Sequence, residues 1–121
     1  MERRTLEFVV GLAVAGGVSG LLSLQVATPY ALAAGIAAST PAFVRASSGL
    51  DRDRYETDRS SDEQVVDGAL AAGAALVVAL AGGYLAVSNG YTGAVGAAVP
   101  AALGVFAGQA VFYSRNADYL E

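Results

Sequence analysis

Residues 68–114 read GALAAGAALVVALAGGYLAVSNGYTGAVGAAVPAALGVFAGQAVFYS, and between Gly68 and Ser114 the only ionisable side chains are Tyr84, Tyr91 and Tyr113. An α-helix rises about 1.5 Å per residue, so about 20 predominantly apolar residues cross the roughly 30 Å hydrocarbon core of a bilayer. The block is long enough for two crossings. Its interruption is Ser88-Asn89-Gly90, where Asn89 or Gly90 can take the left-handed conformation that ends a helix. The spacing predicts one helix from Asp62 to Val87 and another from Tyr91 to Tyr113. Just upstream, Ser60 and Glu63 stand at the spacing of a capping box, which marks the start of the first of them.

A second block of the same kind runs from Phe8 to Val44, with Tyr30 its only ionisable group. It breaks at Gln25-Val26-Ala27-Thr28-Pro29, where Thr28 suits an N-cap and Pro29 the first helical position, whose amide would lack a partner in any case. Helices are expected from Leu6 to Leu24 and from Pro29 to about Ser47. The fold class that follows is all-α: an integral membrane four-helix bundle of two helical hairpins in one domain over residues 1–121, joined by a linker at 48–61 and closed by a tail at 114–121. The composition, 55% hydrophobic and 15% charged, agrees. A soluble helix carries a polar face along its whole length, and these have none. Arg3 and Arg4 precede the first apolar run as they would in a cleaved leader. The run is too long for a leader's core, however, and Glu7 is misplaced for one, so it is read as a span.

All seven basic residues are arginines: Arg3, Arg4, Arg45, Arg52, Arg54, Arg59 and Arg115. None falls on the two short hairpin loops. The positive-inside bias then puts both termini and the linker in the cytoplasm of a multi-pass cell-membrane protein. Tyr30 and Tyr91 would mark the outer boundary and Phe8, Phe43, Phe112 and Tyr113 the inner one. All-arginine basic usage with excess acid and abundant Ala, Gly and Val resembles the composition of salt-adapted, haloarchaeal proteins.

Small residues recur four apart on every span: Gly16 and Gly20 (beside Ala13 and Gly17), Ala31, Gly35 and Ser39, Ala71, Ala75, Ala79 and Gly83, Gly93, Ala97 and Ala101, and Gly104 and Gly108. Such stripes let helix backbones approach where lipid removes most of the hydrophobic drive between helices. The halves also resemble each other: Ala15-Gly16-Gly17 matches Ala81-Gly82-Gly83, Tyr30 matches Tyr91, and Pro41 matches Pro100. A parallel internal repeat and plain low complexity both account for this. Pro41 and Pro100 should kink their helices by freeing the carbonyls of Ala37 and Gly96, with Ser39 and Thr40 near enough to compensate the first.

The residues that most chemistry requires are missing. Without Cys, His or Lys there is no thiol nucleophile, imidazole base, Schiff-base amine or soft metal site, so no catalytic, cofactor-binding or metal-binding residue is assigned and no cofactor is expected. Asp51 and Asp53 have the spacing that opens a calcium loop, but Tyr55 and Glu56 occupy positions where that loop needs an oxygen ligand and a turn glycine. No carboxylate lies at the midplane, unlike the small multidrug-type carriers of the same length and helix count. Gln109 is the most polar side chain inside a span and is expected to hydrogen-bond between helices, a pore entrance being the other role open to it. Glu7 and Asp67 are read as anions near helix N-termini, the sharper alternative being an acidic vestibule for a cation. The linker, with six acids and three arginines from Asp51 to Glu63, is expected to be solvated, Arg59 pairing with Glu63 at helical spacing. Its charge argues against nucleic acid as a partner. The chain is accordingly expected to be a non-catalytic scaffold or accessory subunit with the lipid bilayer, a second copy or a larger membrane complex as partners. The alternative is an oligomeric channel or facilitator.

Overall fold

The computed structural model describes residues 2–47 and 49–120. The first residue of the expected linker, Ser48, and the last of the tail, Glu121, lie outside the described residues, as does Met1. Among the described residues five α-helices follow one another: α1 (Arg3–Leu22), α2 (Thr28–Ala46), α3 (Arg52–Asp58), α4 (Ser61–Ser88) and α5 (Ala94–Arg115), with a 3-10 turn at Ala117–Tyr119. Three of these, α1, α4 and α5, are long and apolar enough to cross a membrane, which marks the chain as a membrane protein.

The boundaries differ from expectation at the start of α2 and at the start of α5. At the start of α2 the extended residue is Ala27, so Thr28 is already helical and caps nothing, and Pro29 follows inside the first turn. The α4–α5 turn does close on Gly90, whose φ of +82° suits a residue without Cβ. The Tyr91 amide, however, donates back to the Ala86 carbonyl at 2.8 Å, so Tyr91 closes the turn that follows α4 and does not start α5. Extended Gly93 then leads into α5 at Ala94. The capping box is formed as expected, with Ser60 Oγ accepting from the Glu63 amide and Glu63 Oε1 from the Ser60 amide, each at 3.2 Å. Beside Pro41, the hydroxyls of Ser39 and Thr40 both donate to the Ile36 carbonyl, one residue before the carbonyl that the proline frees.

Helix α2 occupies the middle. It packs against α1, α4 and α5, while α4 and α5 pack on each other and α1 makes its extensive contact with α2 alone. Two small-residue stripes carry the α4–α5 contact. A Cβ on Gly104 would lie 2.8 Å from the Ala75 carbonyl oxygen and 2.9 Å from Ala79 Cβ, and one on Gly108 would lie 2.9 Å from Thr40 Cγ2 and 3.0 Å from the Ala71 carbonyl oxygen. Gly35 admits α1 in the same way, since a Cβ there would collide with Ser19 and meet the Ala15 carbonyl oxygen. The stripe expected on α1 is different. Gly16, Gly17 and Gly20 have nothing within 4 Å of where a Cβ would stand.

The antiparallel course of the long helices brings the start of α1, the end of α2, the start of α4 and the end of α5 to one end of the molecule, and α3 lies there with them. The linker was expected to be solvated, but Leu50 and Tyr55 are fully enclosed and join Val44, Ala71 and Phe112 in a core. The tail reaches the same place: Leu50 and Leu120 form an isolated antiparallel bridge, and the Asp51 amide donates to the Tyr119 carbonyl at 2.7 Å.

Candidate functional site

The charged residues converge on this end, and two carboxylate clusters organise them. Asp67, on the second turn of α4, is completely enclosed. Its Oδ1 accepts from Arg59 Nη2 and Arg115 Nε, both at 2.9 Å, and its Oδ2 from the Tyr55 hydroxyl at 3.0 Å and Arg59 Nε at 3.3 Å. One residue therefore ties α3, its C-cap and the end of α5 to α4. Glu63 draws on the same guanidinium, bonding Arg59 Nη1 at 2.7 Å, as its helical spacing predicted.

Glu56 of α3 and Glu7 of α1 form the second group. Glu56 accepts from Arg45 at 2.7 Å, from Arg3 at 2.9 Å and from Arg52 at 3.4 Å, while Glu7 accepts from Arg52 at 2.7 Å. Arg4 donates to the Leu50 carbonyl at 2.8 Å, and Arg54 lies 5.8 Å from the centre of the Tyr119 ring. Every arginine of the chain thus has a partner on this cap. Within it, Glu7 Oε2, Arg52 Nη1 and Asn116 Oδ1 are buried without a hydrogen-bond partner among the described residues.

The electrostatics follow from the pairing. Burial pushes the Tyr55 phenol well above its ordinary range, and the Asp67 charge beside it adds to the effect, so Tyr55 remains a neutral donor. Burial opposes ionisation of Glu56, but hydrogen bonds from Arg3 and Arg45 outweigh it and hold the carboxyl below the usual glutamate range. The hydrogen bond to Asp67 holds the Arg59 guanidinium above its ordinary value.

No family model, curated protein or solved structure matches the chain.

The expectations for individual residues divide. Asp67 and Glu7 do not line an acidic vestibule, because arginines neutralise both. Nor does a helix dipole explain Asp67, which lies beyond the first turn of α4, where that field has faded. Gln109 is half-buried and makes no side-chain hydrogen bond among the described residues, so the interhelical bond expected of it is not formed. Asp51, one of the two calcium-spaced acids, is the N-cap of α3 and accepts from the Arg54 amide at 3.3 Å. Among the described residues no group of three His, Cys, Asp or Glu side chains could hold a metal ion.

Sequence reading overlooked Tyr55, Leu50, Arg52 and Arg115 as parts of one structure. A signal was present. Leu50 and Tyr55 are the apolar residues in an otherwise charged segment, and Asp51 followed by Arg52–Asp58 has the form of a capped short helix. Chemically the cap is a set of paired charges. Glu7, Glu56, Glu63 and Asp67 are spent as acceptors for guanidinium groups, and the pairs of Glu7, Glu56 and Asp67 join segments that lie far apart in the chain.

Proposed function

We propose that this chain is a four-span membrane scaffold or accessory subunit that docks, on a second copy or in a larger complex, through the outer face of α1. Helix α2 is the fourth span. Its Thr28, Pro29, Ser39, Thr40 and Pro41 dilute its apolar character, but its place between α1, α4 and α5 buries Pro29, Ser39 and Thr40, and the two buried hydroxyls are bonded within the helix. The one-sided arginines orient the cap and both termini toward the cytoplasm.

The single observation that carries the docking proposal is the contrast among glycines. Gly35, Gly104 and Gly108 are spent on contacts inside the molecule, whereas Gly16, Gly17 and Gly20 on α1 are exposed and uncovered. Gly16 and Gly20 lie four residues apart and so share a face on which a second helix backbone could approach closely. The channel reading finds less support, because the Ser39 and Thr40 hydroxyls between the helices are closed onto their own backbone and α2 fills the middle. The two hairpins are compatible with a duplication, but they do not pack as a two-fold pair: α2 lies on α4 without a matching extensive contact between α1 and α5.

Förster transfer between labelled copies in vesicles tests the docking face. Wild-type protein should associate, and Gly16→Ile with Gly20→Ile should lower the association constant at least about tenfold, which corresponds to about 1.4 kcal/mol. A wild-type chain that neither self-associates nor co-purifies with a membrane partner would remove the proposal.

A further inference from the structure

At the charged end a groove of about 560 Å³ opens between α2 and α4, within the size range of small-ligand sites. Its character changes along its length. At the cap end stand Arg45, Ser61 and Gln64, and further along the helices Pro41, Val65 and Ala69 make it apolar. Val65 and Ala69 are exposed, so the groove is open along α4 toward the surrounding bilayer.

The polar end presents donors. Arg45 gives Nη2 to Glu56 and makes no other side-chain hydrogen bond among the described residues, which leaves N–H groups of a half-buried guanidinium for an acceptor. Ser61 opens the first turn of α4, where backbone amides have no partner within the helix, and the capping box uses only those of Ser60 and Glu63. Of the two acids on that turn, Glu63 is occupied by Arg59 and Ser60, and Asp62 is exposed and does not line the groove. A donor-rich end joined to an apolar slot, at the level where the apolar spans give way to charge, matches a ligand with phosphate or ester oxygens at one end and a hydrocarbon chain at the other.

We infer that the α2–α4 groove holds one glycerophospholipid of the leaflet on the charged side, its phosphate at Arg45 and Ser61 and one chain along Pro41, Val65 and Ala69. The inference rests on α2 and α4 crossing the membrane and is independent of docking through α1. A bound lipid would fill the cleft between the two hairpins where the α4 small-residue stripe has not yet closed it.

Native mass spectrometry of delipidated protein titrated with phosphatidylglycerol tests the site. One lipid per chain should be retained. Ala69→Phe, which fills the slot from an exposed position and leaves the ionic cap intact, should weaken binding about tenfold, and Arg45→Gln should do likewise. Diacylglycerol, which lacks the phosphate, and glycerol phosphate, which lacks the chains, should each bind at least about tenfold more weakly than the whole lipid. Gly16→Ile should bind as wild type, which separates this site from a lipid trapped by self-association. Equal binding by Ala69→Phe, or by diacylglycerol, would overturn the inference, and Ala69→Phe decides alone if Arg45→Gln does not fold. Disulfide cross-linking of Val65→Cys between copies would assign the groove to a second chain and overturn it as well.

Discussion

Asp67 is the residue on which the cap depends. An isolated carboxylate taken out of water costs several kcal/mol, and the cost is offset only when the remaining lone pairs find good donors. Here two arginines and a tyrosine supply them. Removing the acid leaves Arg59 and Tyr55 facing an empty polar site, whereas Arg115, more than a third exposed, can turn toward water. Asp67→Ala should therefore lower stability by about 3 kcal/mol, the lower end of the range for breaking a buried pair. Unfolding in mixed micelles checks this, and a change within about 0.5 kcal/mol, typical of an ordinary surface site, would show the network to be ornamental. The acid itself was legible in the sequence as an ionisable group near a helix start. Its partners were not, because Arg115 lies 48 positions away and nothing local links the two.

At the scale of helices, the small-residue stripes were legible and their use was not. Every span carries one, but it makes an intramolecular contact only where a neighbouring helix passes close to it. Gly104 meets Ala75 and Ala79 in this way, while Gly73 has open space around it. Gly104→Ala gains helix propensity worth about 0.5–1 kcal/mol but forces α4 and α5 apart, an overpacking cost of about 1–3 kcal/mol, so the net effect should be destabilising. Gly73→Ala takes the gain without the cost and should be neutral or stabilising by up to about 1 kcal/mol. The two variants compared in the same micellar unfolding assay should move in opposite directions, and a shared direction would contradict the packing described. Helix α3 shows the limit of a charge-based reading. Counting acids predicted a solvated linker, and the tyrosine among them drew the segment into the core.

The whole molecule is polarised, with an apolar body and one charged cap that gathers the N-terminal turn, the linker and the tail. Such a cap is costly to carry through hydrocarbon, so the proposed topology keeps all of its segments on one side of the membrane. Cysteines at Ala27→Cys and Asn89→Cys should react with an impermeant reagent on intact cells, and one at Asp118→Cys only after permeabilisation. Labelling of Asp118→Cys from outside would reverse the orientation, and labelling of only one hairpin loop would remove α2 as a span. Hydrophobic length and charge position are properties of the chain taken in order. The sequence by itself therefore determined the apolar helices, a turn at Ser88-Asn89-Gly90, the capping box at Ser60 and the confinement of charge to the ends of the apolar blocks away from the two hairpin loops. Which glycines are covered, which arginine holds which acid and whether the linker is wet depend on distances between residues far apart in the chain. Those distances exist only once the helices have packed, and so the tertiary structure alone decided the cap, the free face of α1 and the groove beside Arg45.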